Sequence, residues 1–327
     1  MTTILVIGGA GYIGAHTCKA LAGAGLTPVT FDDLSEGHRD FVRWGPLVQG
    51  DIRDRAALDA AIADHAPAAI VHFAALIEVG QSVADPARFY ANNIGGSLNI
   101  ADAARAAGIP VVFSSTCATY GPPQEPTLTE VHPQNPISPY GRTKLVVEWM
   151  LRDYSDAYGV RSASLRYFNA CGADAGGAIG EAHRTETHLI PRAILARLGK
   201  LPEFGIFGTD YDTPDGTAIR DYIHVDDLAD AHVRAVRYLL DGGETTQVNI
   251  GTGQGYSVRQ IVDAVERVSG GPVPVTLGPR RAGDPPALVA DTTLARDLLG
   301  FVPRHSDLDH IVSTALAWHR RGVNAEA

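Results

Sequence analysis

Short apolar runs alternate with amphipathic stretches through the first half of the chain, the rhythm of successive βαβ units around a parallel sheet. The runs at residues 4–7, 28–31, 46–48, 69–73 and 110–114 are almost continuously apolar and predict buried strands. Two helices are well signalled. One takes Asp85 as N-cap and Pro86 in its first turn, carries Tyr90, Ile94, Leu98 and Ala101 on one face, and stops at Gly108. The other starts at Ser138 and Pro139, with Leu145, Val146, Trp149 and Met150 as its apolar stripe. Beyond about residue 169 the alternation weakens: residues 172–180 are glycine-rich and 205–216 irregular. Residues 247–250 predict a further strand, and Ser257 with Gln260 forms the capping-box pattern of another helix. The pattern predicts an α/β fold. A doubly wound parallel sheet is expected in residues 1–169, with a smaller, loop-rich mixed α/β domain in 170–327 whose chain crosses back to the first.

Composition narrows the class without naming a reaction. A chain of 327 residues suits one large domain or two that share a core. Apolar content of 45% with 20% charged residues excludes a disordered chain. A net charge of −10 with no basic run lacks the electrostatic footprint of a nucleic-acid binder. The longest apolar run, around residues 66–77, is broken by His72 and is too short to span a bilayer. Residues 1–7 show neither a basic leader nor a cleavage site, so a cytoplasmic location is expected. Cys18, Cys117 and Cys171 are odd in number and widely spaced, which predicts reduced thiols and no metal centre.

The first candidate chemistry is at the start. Gly9-Ala10-Gly11-Tyr12-Ile13-Gly14 matches G-x-G-x-x-G, with Gly8 one residue ahead, directly after one predicted strand and opening a helix. Glycines there let the backbone approach a pyrophosphate, which rests on the helix N-terminal N–H groups around Gly11, Tyr12, Ile13 and Gly14. Asp32 ends the second strand, where a carboxylate accepts from ribose hydroxyls and repels a 2′-phosphate. The pattern is that of a Rossmann-type sheet, and it favours NAD over NADP.

Tyr140 and Lys144 stand four residues apart, hence on one helix face, in a chain with three lysines. A phenol with a pKa of about 10 is a poor base near neutrality, and a neighbouring ammonium favours its ionised form. The same spacing also suits a solvated surface pair. Ser114-Ser115-Thr116, at the end of a central strand, turns the reading toward chemistry, because a Thr116 hydroxyl there can hold the same substrate oxygen.

These features together resemble the extended short-chain dehydrogenase/reductase superfamily and, within it, the UDP-glucose 4-epimerase family. The likeness runs through residues 8–17, 50–53, 72–75, 79–82, 114–121 and 138–144, then 165–169, 206–208, 215–217, 220–225 and 279–284. It implies an isomerase that interconverts UDP-glucose and UDP-galactose through a 4-keto sugar, with tightly held NAD and no net redox change. In that reading Tyr140 handles the 4-hydroxyl proton, Thr116 orients the oxygen, and Lys144 binds the nicotinamide ribose. Asp51 and Ile52 stand near adenine, and Phe73, Ala74, Ala75, Asn93, Ser114, Tyr167 and Phe168 surround the cofactor. Arg220 and Arg281 take the substrate diphosphate, with Asn169, His188 and Leu189 beside it. Phe207, Tyr222 and Asp284 shape the uridine end, while Leu288 borders the sugar. Asp221, Asp226 and Asp227 are read as ordering the Arg220 loop. The helices that start at Pro86 and Pro139 pair subunits in related enzymes, so a homodimer is expected.

Departures from the family pattern mark open points. Ile77 replaces a lysine that some members place near the cofactor phosphates, and His188 replaces an asparagine of others. Leu288 is intermediate between a bulky tyrosine and a small residue, which leaves UDP-N-acetylhexosamines and UDP-pentoses as alternative substrates. A 4,6-dehydratase is rejected because Thr116 is followed by Cys117-Ala118 instead of an acidic pair. A ketoreductase would release its reduced cofactor, and a non-catalytic NAD-binding protein would lack the Tyr–Lys pair.

Overall fold

In the computed structural model, which describes residues 2–125, 127–281 and 284–321, seven parallel strands form the principal sheet. They are β1 (Thr3–Ile7), β2 (Thr27–Asp32), β3 (Leu47–Gln49), β4 (Ala69–His72), β5 (Val111–Thr116), β6 (Ser162–Tyr167) and β7 (Thr246–Ile250). Their order is β7-β6-β5-β4-β1-β2-β3, so the strand order reverses between β1 and β4. Ligands of doubly wound sheets bind at the carboxyl edge of such a reversal.

The near-continuous apolar strands are explained by burial on both faces. Successive side chains point to opposite sides of a strand. Ile4 and Val6 join Val71, Val112, Leu165 and Val248 on one face; Leu5 and Ile7 join Phe31, Ile70 and Phe113 on the other. The first face is covered by helices α1 (Tyr12–Gly23) and α3 (Val225–Leu240). The second is covered by Gly96–Ala107 and by α2 (Pro139–Tyr158). Truncating one such buried side chain of α2, Val147 or Leu151, removes about 2 kcal/mol or more of burial. Residues 225–250 thus return to the large sheet from the second half of the chain.

The rest of the second half builds its own core. Ile190, Ile194, Phe204, Ile261, Val265, Ile311 and Leu316 pack together. A small sheet runs Gly255–Ser257, Ile219–His224, Ala287–Ala290, Thr127–Leu128, and Asn169–Cys171 also pairs with Ile219–His224. Phe204–Phe207 and Val275–Gly278 form a two-stranded ribbon. No described helix is long and apolar enough to cross a membrane.

The helix expected from Pro86 to Gly108 is not uniform. Pro86–Phe89 leads into a wider π-type turn at Tyr90–Gly95 before the regular helix Gly96–Ala107. Asn93 sits in that turn. Its side chain accepts from the Leu76 N–H (2.8 Å) and donates to the Leu76 carbonyl (3.0 Å) and to Thr143 Oγ1 (3.1 Å). The widened turn aims one polar side chain inward, where a straight helix pattern predicts none.

Candidate active site

The glycine turn after β1 is forced by close packing. Gly8 has φ +80°, and a Cβ there would lie 2.6 Å from the Ala74 nitrogen; one on Gly14 would lie 2.1 Å from the Gly8 oxygen. The Gly8 N–H donates to the Phe31 carbonyl at 2.8 Å, and those of Phe73 and Ala74 donate to the Ile7 carbonyl. The turn is therefore pinned between β2 and the exit of β4. Helix α1 then begins at Tyr12 with Gly11 as N-cap, no side-chain cap and no acidic residue in its first turn. Its N-terminus is left open to an anion. Asp32 is buried at the end of β2 and accepts from the N–H groups of Ala10 and Leu34, each at 2.9 Å. Burial raises its carboxyl above the usual range, against those two hydrogen bonds.

Around this turn the expected cofactor residues divide. Tyr12, Ile13, Phe73, Ala74 and Ala75 are half-buried at the same edge. The Tyr12 hydroxyl donates to the Gly172 carbonyl at 2.7 Å, tying α1 to the second half. Ile52 is buried, and its carbonyl accepts from Asn99 Nδ2 at 3.0 Å. Asp51 is instead held by Arg53, whose Nε lies 3.0 Å from both carboxylate oxygens, and that bond lowers the Asp51 pKa.

The second part of the site joins three element ends. Ser138 caps α2 by accepting from the Gly141 N–H at 3.1 Å, Pro139 follows in the first turn, and Gly159 ends the helix at φ 72°. This places Tyr140 and Lys144 against the end of β5. Lys144 is 3% exposed; its Nζ donates to the Ser114 carbonyl at 2.7 Å and lies 6.0 Å from the Tyr140 ring centre. Ser114 Oγ and the Tyr167 hydroxyl are 2.6 Å apart. Burial lowers Lys144 to about 7, with Glu148 as the opposing charge. Burial also pushes the Tyr140 phenol well above its ordinary value, and a hydrogen bond from the Thr116 side pulls it down. Tyr140 and Lys144 thus share one helix face, as their spacing predicts, and meet Ser114, Thr116 and Tyr167 at the strand ends.

The third part carries the arginines. Arg220 pairs with Asp284 and stands opposite Leu288 on the adjacent strand. Leu288 and Cys117 pack against Phe168, Tyr120 and Leu128, which joins this strand to the residue after Thr116. Tyr222 and Asn169 are register partners, and Asn169 Nδ2 donates to the Asp221 carbonyl at 2.9 Å. The Arg281 guanidinium lies 4.4 Å from the Phe207 ring centre. Among the described residues these two touch each other on an exposed rim rather than the Tyr140 group. Asp221 accepts from Thr252, Gly253 and Ala290, and Asp227 from Arg304, His305 and Ser306, as loop-ordering carboxylates do.

His188 is not alone. Its Nδ1 lies 2.8 Å from Glu181 and 3.1 Å from Glu186, and His183 Nδ1 lies 3.3 Å from Glu181. The four donor atoms all fall within 4.8 Å of one another. Burial would lower both imidazoles, but the two carboxylates raise His183 to about 9 and His188 to about 10. The His183 ring stands edge-on to Tyr12 at 6.4 Å, so this ion cluster borders the glycine turn. Leu189 follows His188 and packs on the second-half core.

Sequence reasoning gave no role to Glu148, Arg166 or His232. His232 lies buried on α3, its ring 4.7 Å from that of Phe73 and 6.3 Å from that of Tyr167. The signal for Glu148 and Arg166 was present but weak: Glu148 stands one helical turn beyond the Tyr140–Lys144 pair, and Arg166 lies inside the matched stretch 165–169 without a role of its own.

A model of the NAD dependent epimerase/dehydratase family matches residues 4–251. The chain belongs to that family. It is 59% identical over 320 residues to the UDP-glucose 4-epimerase of Rhizobium leguminosarum bv. trifolii, covering 98% of each chain. The crystal structure of UDP-glucose 4-epimerase from Brucella ovis in complex with NAD is 54% identical, with a TM-score of 0.95 over 97% of this chain and 98% of that one. A Stenotrophomonas maltophila UDP-glucose-4-epimerase structure, with bound NAD and formylated UDP-arabinopyranose, is 40% identical. Its TM-score is 0.95 over 98% of this chain and 99% of that one. NAD is the cofactor of this family, and the site fits it: a glycine cradle with no room for a Cβ, an uncapped helix N-terminus, and an acid ending β2.

Proposed function

We propose that the chain is a UDP-glucose 4-epimerase that inverts C4 of the sugar, interconverting UDP-glucose and UDP-galactose with NAD held throughout. The observation that carries this is the convergence of Tyr140, Lys144 and Thr116 at the carboxyl edge of β5, within a fold shared with epimerases at 54% identity. NAD, when bound, supplies a hydride acceptor that later serves as donor, so the reaction has no net redox change.

The protein's own groups handle the proton. Tyr140 takes the proton of the sugar 4-hydroxyl and returns it to the same oxygen after the sugar has turned over. Thr116 holds that oxygen by hydrogen bond. One Lys144 N–H is engaged by the Ser114 carbonyl, which aims the ammonium and leaves its other donors for the nicotinamide ribose. In the free chain burial keeps the Tyr140 phenol neutral; the Lys144 charge and a positive nicotinamide ring favour its ionisation. Arg220 and Arg281 clamp the substrate diphosphate, with forked donors that suit phosphate oxygens. Asn169 and His188 assist them, while Phe207, Tyr222 and Asp284 hold the uridine and Leu288 bounds the sugar.

The NAD-binding unit spans residues 1–169 and the nucleotide-sugar unit 170–327, with residues 225–250 crossing back. A homodimer is supported by apolar exposure on the helical face that includes Val79, Val83, Tyr90, Leu98 and Trp149. A cytoplasmic location is supported by three free cysteines and a nucleotide-sugar substrate.

Separate incubations with UDP-glucose, UDP-N-acetylglucosamine and UDP-xylose, read as C4 inversion, test the assignment. UDP-glucose is expected to turn over fastest. Faster inversion of either of the others would reassign the substrate, and no inversion of any would reject the epimerase reading.

A further inference from the structure

One turn beyond Lys144 on α2 lies Glu148, 1% exposed; just before Tyr167 on β6 lies Arg166, 2% exposed. Their side chains meet fork to fork. Arg166 Nε lies 3.0 and 3.1 Å from the two Glu148 oxygens, and Nη2 lies 2.6 Å from Oε2. Arg166 Nη1 donates to the Tyr120 hydroxyl at 3.0 Å and to the Glu130 carbonyl at 3.1 Å. The Ser115 hydroxyl donates to Glu148 at 2.5 Å, and Gln134 Nε2 to its other oxygen at 3.3 Å.

Removing two full charges from water costs several kcal/mol per ion, and well-packed apolar residues of similar volume often give equal or greater stability. Stability alone is therefore a weak reason for this pair. Its placement offers a better one. Ser115 and Arg166 are register partners across β5 and β6, and the next pair along the ladder is Thr116 and Tyr167. Ser115 also lies between Ser114, whose carbonyl takes the Lys144 ammonium, and Thr116. Glu148 thus binds both strands at the rung beside the reacting groups, from the helix that carries Tyr140 and Lys144. Apolar contacts let a helix slide over a sheet by fractions of an ångström, whereas a satisfied set of directional bonds does not.

The network also continues toward the sugar side. The Tyr120 hydroxyl donates to Asn249 Oδ1 at 2.6 Å, and Asn249 Nδ2 donates to the Leu128 carbonyl at 2.8 Å. Leu128 pairs in register with Ala290, on the strand that holds Leu288.

We propose that Glu148 and Arg166 are positioning residues for epimerisation: their buried pair sets the distance from Tyr140 and Lys144 on α2 to Thr116 on β5 and Tyr167 on β6. The inference rests on the epimerase reading of the site. Neither side chain bonds to Tyr140, Lys144 or Thr116, so its loss acts mainly on kcat, through the sub-ångström alignment of the reacting groups, and less on the many-contact binding of UDP-glucose and NAD.

The test compares wild type, Tyr140→Phe, Arg166→Lys and the double variant Glu148→Leu/Arg166→Met. Each is assayed for kcat and KM with UDP-glucose, for NAD released on denaturation, and for Tm. Arg166→Lys keeps the charge and loses the fork; the double variant removes both charges and keeps the volume. A displacement of about 1 Å at reacting atoms costs on the order of 10²-fold. Both variants are accordingly expected to lose roughly ten- to a hundredfold in kcat, with KM changed by less than about threefold and NAD content near wild type. Tm falls because Tyr120 and the Glu130 carbonyl lose their bonds from Arg166, but the chain stays folded at the assay temperature. A kcat within about twofold of wild type in Arg166→Lys overturns the proposal, as does a loss that only follows a lower folded fraction. If the double variant does not fold, Arg166→Lys decides alone. Wild type that fails to invert C4 would reject the epimerase reading itself. Active wild type with inactive Tyr140→Phe and unimpaired Arg166→Lys rejects only the positioning role.

Discussion

The glycine turn at the end of β1 and the charged loops of the second half are built by different means. Around Gly8 and Gly14 the backbone itself forms the cradle, and the neighbouring chain leaves no volume for a Cβ. On the other side, Arg220 with Asp284, His183 and His188 with Glu181 and Glu186, and Arg281 over Phe207 set charged side chains on loops and strand ends. The first arrangement rests chiefly on steric fit of backbone to backbone. The second is electrostatic, a set of ion pairs and a cation–π contact whose strength depends on charge. A family that keeps one cofactor and varies its sugar is served by this division.

The steric side breaks most completely. Gly14→Ala puts a methyl group 2.1 Å from a backbone oxygen that cannot move without displacing β1. The expected outcome is loss of bound NAD and of activity together, measured as NAD released on denaturation of the purified variant. Retention of stoichiometric NAD would show that the turn yields more easily than its packing implies.

The electrostatic side fails by degrees. In the role proposed for it Arg220 donates to the substrate diphosphate; Arg220→Ala also leaves Asp284 without that partner, so KM for UDP-glucose should rise by roughly ten- to a hundredfold with a smaller change in kcat. An unchanged KM would remove Arg220 from the diphosphate site. The effect of adding salt should be larger on KM for the substrate than on NAD retention.

The smallest effect concerns pH. His183 and His188 are raised in the folded chain to about 9 and about 10. Their contribution is fully present below the unfolded value of about 6.5 and is lost as pH rises through 9 to 10. Glu181 and Glu186 are lowered, so their contribution holds above the ordinary carboxylate range and is lost in acid. Thermal stability should therefore decline on the alkaline side of neutrality, and Glu181→Gln should flatten that decline. A Glu181→Gln profile parallel to wild type would mean that the cluster contributes nothing measurable there.

What could be read from the sequence follows the same division. The fingerprint, Asp32 and the Tyr140–Lys144 spacing are local demands, written within a few residues, and the structure assembles them as expected. Six of the seven strands were legible because both faces of the sheet are buried; β6 was not, since Ser162, Ser164 and Arg166 interrupt its apolar pattern. The π-type turn at Tyr90–Gly95 was not, since it answers to Leu76 and Thr143, distant in sequence. Glu148 looks like an ordinary surface charge on an amphipathic helix, and Arg166 lies in the matched stretch 165–169 without an assigned role; only the tertiary fold buries them against each other. The Glu-x-His-x-x-Glu-x-His spacing from Glu181 to His188 is visible in the sequence, but an irregular loop has no period from which convergence could be inferred.

The central claim is that Tyr140 removes and returns one proton at the sugar C4 oxygen beside a retained NAD. Tyr140→Phe, purified and supplied with UDP-glucose, tests it most directly through two readings, C4 inversion and NAD content. The account predicts inversion reduced by on the order of 10³-fold or more with NAD still bound. Near-wild-type inversion by a chain lacking the Tyr140 hydroxyl would contradict it.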